Sequence, residues 1–164
     1  MKNYFQELYE QHHAPIYRYI FYLLQHQMIA EDLTQETFTK CYEKNMHFIN
    51  HTEALYWLRK VARNLAYDYY RRQRLIHWLP LVQEVTDGTD TLTYLEQQEE
   101  VKMLYQTLTQ LKISYREVII LRKIENLSIK ETASLLQWSE SKVKNTLSRA
   151  LHMLALKMEG LNHE

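Results

Sequence analysis

Residues 127–154 read LSIKETASLLQWSESKVKNTLSRALHML. Ser128 and Glu131 stand at the S-x-x-E spacing of a capping box, which sets the start of one helix. Ile129, Ala133 and Leu136 supply its inner side, and a tight break falls at 137–139. Beyond the break, Val143, Leu147, Ala150, Leu151 and Leu154 follow the i, i+4, i+7, i+8, i+11 spacing of a buried helical stripe. Ser141, Asn145, Ser148 and His152 then face the other way, flanked by Lys142, Lys144 and Arg149. Two short helices with cations and hydrogen-bonding side chains on the outer face of the second form a helix-turn-helix pattern. Such a face can enter a major groove and reach base edges and phosphates. Any amphipathic helix pair in a small bundle gives a similar pattern, so the rest of the chain has to decide.

The 164 residues are 46% hydrophobic, enough to fill the core of one or two compact helical domains. Only two Gly and two Pro are present, apolar residues recur three and four apart, and no strand-like alternation competes. The expected class is therefore all-α. There is no run of 18 apolar residues, no leader-like segment and a single cysteine, Cys41, so a soluble cytoplasmic chain without disulfides is expected. Zero net charge argues against nucleic acid only until charges are counted by segment. Residues 1–54 carry 4 basic and 7 acidic side chains, 55–74 carry 6 and 1, 84–100 carry 0 and 6, and 122–157 carry 7 and 3. Two basic patches cancel two acidic ones.

Punctuation divides the chain into a helical domain over 1–74, a flexible acidic linker over 75–95 and a second helical domain over 96–164. In the first, 4–26 forms one helix or two around Pro15, 28–44 a second helix, and 45–52 a polar loop. Thr52 is placed to cap a long helix ending near Arg74. Pro80 and the run TDGTDT mark the linker. In the second domain, helices are expected over 94–111 and 114–123, the latter opened by a capping box of Ser114 and Glu117.

The long helix carries a second basic element. Leu55, Leu58, Val61, Ala62, Leu65 and Tyr69 share one face; Arg59, Arg63, Tyr67, Tyr70 and Arg74 share another, with Lys60, Asn64 and Arg71 beside them. Alternating guanidinium groups and tyrosine rings suit single-stranded nucleic acid, gripping phosphates while stacking bases. The bland alternative is a solvated face with tyrosines folded against arginine stems. No catalytic constellation competes. His47 and His51 fall in a loop, Cys41, His12 and His13 add no C-x-x-C partner, and no Gly-rich phosphate loop exists. Neither a metal, a cofactor nor an enzymatic activity is expected.

Three segments together resemble one family. AEDLTQETF (30–38) resembles region 2.2 of the extracytoplasmic-function (group IV, sigma-70 family) sigma factors of bacterial RNA polymerase. WLRKVARNLAYDYYRRQR (57–74) resembles their regions 2.3 and 2.4, and LSIKETASLLQWSESKVKNTLSRAL (127–151) resembles region 4.2. The resemblance covers nearly the whole chain in order and spacing, with only the linker unmatched. The chain departs from the family's usual Pro at Lys112, and from its Gly-Thr-Val helix start at Ser141, Lys142 and Val143.

The resemblance implies a promoter-specificity subunit built of two helical domains. Asp32, Gln35 and Glu36 would face the β′ clamp of core RNA polymerase, where carboxylates one helical turn apart suit a basic surface. The second domain would face the β flap. Arg59, Arg63, Asn64, Tyr67, Arg71, Arg72 and Arg74 would hold the melted minus-10 element, with the loop 45–52 building part of a pocket for an extruded base. Ser141, Lys142, Lys144, Asn145, Ser148 and Arg149 would read the minus-35 duplex, Asn145 at a base and Lys144 and Arg149 at phosphates. The acidic linker would run through the polymerase interior. An anti-sigma factor, often membrane-anchored, is an implied partner; a small-molecule substrate is not. A stand-alone helix-turn-helix regulator, which would bind specific duplex DNA without polymerase, remains the alternative from the residues alone, with a protein-only helical adaptor behind it.

Overall fold

The computed structural model describes residues 3–77 and 99–162, and among these there are seven α-helices, one π-helical turn and no strand. The chain divides into two compact units, Met1–Asp90 and Thr91–Glu164. No helix among the described residues is long and apolar enough to cross a membrane.

In the first unit α1 (Tyr4–Leu24), α2 (Gln27–Glu43) and α3 (His51–His77) each pack against the other two. Asn3 and Gln6 form a reciprocal capping box that starts α1. Pro15 lies inside this single helix rather than dividing it. Its missing N–H deprives only the carbonyl of Gln11, an exposed position where water can serve instead. Gln25 ends α1 in the left-handed conformation (φ 55°). In α2 the buried Thr34 and Thr37 hydroxyls donate to the carbonyls of Ala30 (2.6 Å) and Leu33 (2.7 Å), so neither is left unsatisfied in the core. α3 is capped by Asn50, not Thr52: the Asn50 side-chain oxygen accepts from the Glu53 N–H at 2.8 Å and its carbonyl accepts from Ala54. The helix continues through Leu75 and Ile76 to His77, three residues into the expected linker; the rest of that segment lies outside the described residues.

The core of this unit joins Ile16, Tyr19, Ile20 and Leu23 of α1 to Ala30, Leu33 and Cys41 of α2. From α3 the fully buried line is Ala54, Leu58, Ala62 and Ala66, with Leu55, Val61, Leu65 and Tyr69 half-buried at its margins. Three alanines in this line of four, which runs at four-residue spacing, let the backbone of α3 approach its neighbours closely, while each fully enclosed Leu or Ile contributes roughly 1.5–3 kcal/mol.

The second unit holds α4 (Glu99–Leu108), α5 (Ile113–Ile119), a π-turn (Ile120–Ile124), α6 (Ile129–Leu136) and α7 (Glu140–Asn162). Leu108, Leu111, Ile119, Ala150 and Leu154 form its inner cluster, with Leu147, Leu151 and Met158 packed against it. The expected Ser114–Glu117 capping box does not form. α5 starts one residue earlier, with Lys112 at the cap position and no side-chain cap bond, and Glu117 is wholly buried. That register puts Ser114 inside the first turn and Glu117 two positions beyond the capping-box site. Arg116, also buried, instead closes the end of α4, donating to the carbonyls of Leu108 (3.0 Å), Thr109 (3.0 Å) and Leu111 (3.2 Å).

Candidate nucleic-acid interfaces

The helix-turn-helix takes the expected form. Ser128 accepts from the Glu131 N–H at 3.0 Å while the Glu131 carboxylate accepts from the Ser128 N–H at 3.2 Å. Gln137 ends α6 in the left-handed region (φ 58°), and the Ser139 hydroxyl caps α7 by accepting from the Lys142 N–H at 3.1 Å. The Arg122 guanidinium donates to the carbonyl of Leu127, tying the π-turn to the start of α6. Val143, Ala150 and Leu154 are buried, Leu147 and Leu151 half-buried, and Thr146 is a further inward residue that the apolar pattern missed. Ser141, Lys142, Lys144, Asn145, Ser148 and Arg149 are all exposed on one helix. Among the described residues Lys142 is the only one of these cations to rest on a ring, with Nζ 4.3 Å from the centre of Trp138.

On α3 the basic face is differently furnished. The Arg63 guanidinium lies 4.3 Å from the centre of the Tyr67 ring, Arg74 lies 5.8 Å from Tyr70, and Lys60 lies 5.6 Å from Tyr56. Arg71 pairs with Asp68 at 3.4 Å, an exposed ion pair of small energetic weight. Asn64, Arg71, Arg72 and Arg74 are exposed, and Arg63 and Tyr67 half-exposed. Arg59 departs from the group: it is only 9% exposed. At about 100° per residue it sits about 60° from Ala62 around the helix, close to the buried line, whereas Arg63 and Arg74 lie further round. Its surroundings include His12 of α1, only 5% exposed, whose ring lies 5.5 Å from that of His51. Burial, and then the neighbouring His51 and Arg59, hold the His12 imidazole below its ordinary pKa.

The loop before α3 is fastened by residues far away in sequence. The Phe48 N–H donates to the Tyr4 hydroxyl at 2.9 Å, and the His47 ring stacks on Tyr4 with centres 4.7 Å apart. The Ile49 N–H donates to the Glu53 carboxylate at 2.7 Å, and Phe48 meets Trp57. Between loop and α1 lies a cleft of about 310 Å³ lined by Tyr4, Glu7, Leu8 and Gln11 on one side and Phe48, Ile49, Asn50 and His51 on the other. No local signal in the sequence connects Tyr4 with a loop 44 positions later.

On α2, Asp32, Gln35 and Glu36 are exposed together, one turn apart on the surface away from the core. A second cleft, about 590 Å³, opens beside them between α1 and α2, with Gln35, Phe5, Tyr9, Phe38 and Tyr42 in its walls. Cys41 also lines it, and burial pushes its thiol up to about 11.

Residues 8–76 match the family profile Sigma-70 region 2, and residues 102–154 match Sigma-70, region 4. The chain is 37% identical to the ECF RNA polymerase sigma factor SigX of Bacillus subtilis (strain 168), an alignment covering 100% of this chain and 88% of that protein. With the ECF RNA polymerase sigma factor SigM of the same organism it shares 32% identity over 96% of this chain and 98% of the relative. Among solved structures, the sigma factor RpoE of Bartonella quintana, crystallised with the anti-sigma factor NepR, has the same fold. Its TM-score is 0.71 at 21% identity, over 92% of this chain and 93% of that one.

Proposed function

Because this chain belongs to the extracytoplasmic-function sigma factors of bacterial RNA polymerase, we propose that its two units divide promoter recognition according to the state of the DNA. As a member of the family it binds core RNA polymerase, directs it to specific promoters and promotes melting for transcription initiation. Region 2 and region 4 profiles occurring in order on one chain favour this over a stand-alone regulator, which needs only the second.

In the proposed division, Arg63, Asn64, Tyr67, Arg71, Arg72 and Arg74 of α3 take the melted minus-10 strand, guanidinium groups at phosphates and tyrosine rings under bases. Arg59 acts from inside the unit, since its burial keeps it from the strand. The cleft between α1 and the 45–52 loop receives an extruded base. Ser141, Lys142, Lys144, Asn145, Ser148 and Arg149 of α7 read the minus-35 duplex, with Asn145 directed at a base edge. The exposed carboxylates of Asp32 and Glu36, with Gln35, dock α2 on the β′ clamp, and the second unit reaches the β flap. An anti-sigma factor, itself held at the membrane in this reading, would silence the protein by covering the α2 surface. A solved relative crystallised with an anti-sigma factor supports a partner of that kind.

The observation that carries the division is the contrast between ring-backed cations on α3 and freely exposed polar side chains on α7. The test is transcription in vitro with purified bacterial core polymerase, with and without this protein, on fragmented genomic DNA of its source organism, reading transcript 5′ ends. Protein-dependent starts should share two upstream motifs. A folded protein that binds duplex DNA alone and yields no new starts would contradict the assignment.

A further inference from the structure

The cleft beside the 45–52 loop holds polar groups of two kinds. Some are already engaged: the Tyr4 hydroxyl accepts from Phe48, and the Asn50 side-chain oxygen accepts from Glu53. Others are not: among the described residues neither the Glu7 carboxylate nor the Gln11 carboxamide has a hydrogen-bond partner, and both line the cleft. Glu7 and Gln11 are four apart on α1, so they stand side by side on one helix face. The walls around them include Tyr4, Leu8, Phe48 and Ala54, and the volume of about 310 Å³ suits one planar ring system. At the cleft Ile49 is 91% exposed although its backbone is pinned to Glu53. It is an apolar surface where the base next to an extruded one would otherwise lose its stacking partner.

Resting on the proposal that this cleft receives an extruded minus-10 base, we infer that Glu7 and Gln11 make it selective for a base bearing an exocyclic amino group and hostile to thymine. An ionised carboxylate only accepts hydrogen bonds. Adenine, cytosine and guanine each offer it an amino group on the Watson–Crick edge, and the Gln11 carboxamide can donate to the ring nitrogen beside that group in adenine and cytosine or accept from the ring N–H beside it in guanine. Thymine carries carbonyl oxygens on both sides of its single ring N–H, so a carboxylate approaching that edge meets like partial charge. The discrimination is therefore partly repulsive, the form of specificity that a single carboxylate supplies most economically.

The test uses holoenzyme assembled from core polymerase and the full chain, on a promoter found by start mapping. 2-Aminopurine is placed at each nontemplate position of the minus-10 element in turn, and fluorescence gain marks the extruded position. All four bases are then compared there by rate of open-complex formation. Wild type should form open complexes at least about tenfold more slowly with thymine than with the best amino-bearing base. Glu7→Gln, which adds a donor without changing shape, should remove most of that difference, and circular dichroism should show the variant folded. If a base is extruded but thymine is accepted as readily as the others, or Glu7→Gln retains the full discrimination, the inference fails while the cleft assignment stands. If no position is extruded, or Phe48→Ala leaves extrusion unchanged, the cleft assignment fails and takes the inference with it.

Discussion

The two long basic helices of this protein solve opposite problems. On α3 the cations lie against aromatic rings, Arg63 on Tyr67 and Arg74 on Tyr70, and the helix is anchored by a fully buried line of alanines and Leu58. On α7 the polar side chains of the outer face are exposed, and among the described residues only Lys142 leans on a ring, that of Trp138. A melted strand is flexible, so much of the ordering has to be supplied by the protein; rings and guanidinium groups that already hold one another lose less freedom on binding. A duplex arrives ordered, and exposed Lys, Asn and Ser side chains can adjust to it. The same residue types, arranged with or without aromatic support, thus suit different states of DNA.

Core substitutions should break the comparison most strongly. Leu58→Ala, at a fully buried position under the α3 face, should cost about 2–5 kcal/mol in the denaturation of the first unit, whereas Asn145→Ala should stay within about 0.5 kcal/mol. Equal effects would mean that α3 is not anchored as its burial implies. In binding the order reverses: Asn145→Ala should weaken holoenzyme affinity for the minus-35 duplex by about 1–3 kcal/mol and relax base preference at one position, read by competition with single-base variants. Removing the Ser139 cap by Ser139→Ala should destabilise the second unit by about 1 kcal/mol.

Acid sharpens the contrast more gently. The folded-state pKa of His12 lies below its ordinary 6.5, so the unfolded first unit binds the proton more readily. The stability that His12 contributes is present above pH 6.5 and declines as the pH falls through that value toward the lowered folded pKa. Chemical denaturation between pH 7.5 and 5.5, followed by hydrogen exchange within α1–α3, should show the decline, and His12→Gln should flatten it. A variant with the same pH dependence as wild type would remove His12 from the explanation.

The helical class, the helix-turn-helix and its Ser128–Glu131 capping box were legible because they depend on local spacing. So was the α7 polar face, which stands opposite Val143, Ala150 and Leu154. The errors have a common origin in tertiary packing. Arg59 shares a helical face with Arg63 on paper, yet it lies just near enough to Ala62 and Ala66 to be enclosed. Ser114 and Glu117 have capping-box spacing, but Glu117 is drawn inward and Arg116 closes α4 instead. Tyr4 and the 45–52 loop meet across 44 positions, a contact that periodicity cannot express. Asn50 and Thr52 are both competent caps, and the loop's bonds to Glu53 select Asn50.

The central claim is the division between melted and duplex DNA, and it is tested most directly by permanganate reactivity of promoter thymines in holoenzyme complexes. Two variants would be compared: Arg63, Arg71 and Arg74 all changed to Ala on α3, and Lys144, Asn145 and Arg149 all changed to Ala on α7. The first should still bind core polymerase and protect the minus-35 duplex but leave the minus-10 thymines unreactive. The second should bind promoters weakly yet melt them once saturated. An α3 variant that melts promoter DNA at the wild-type rate would contradict the account.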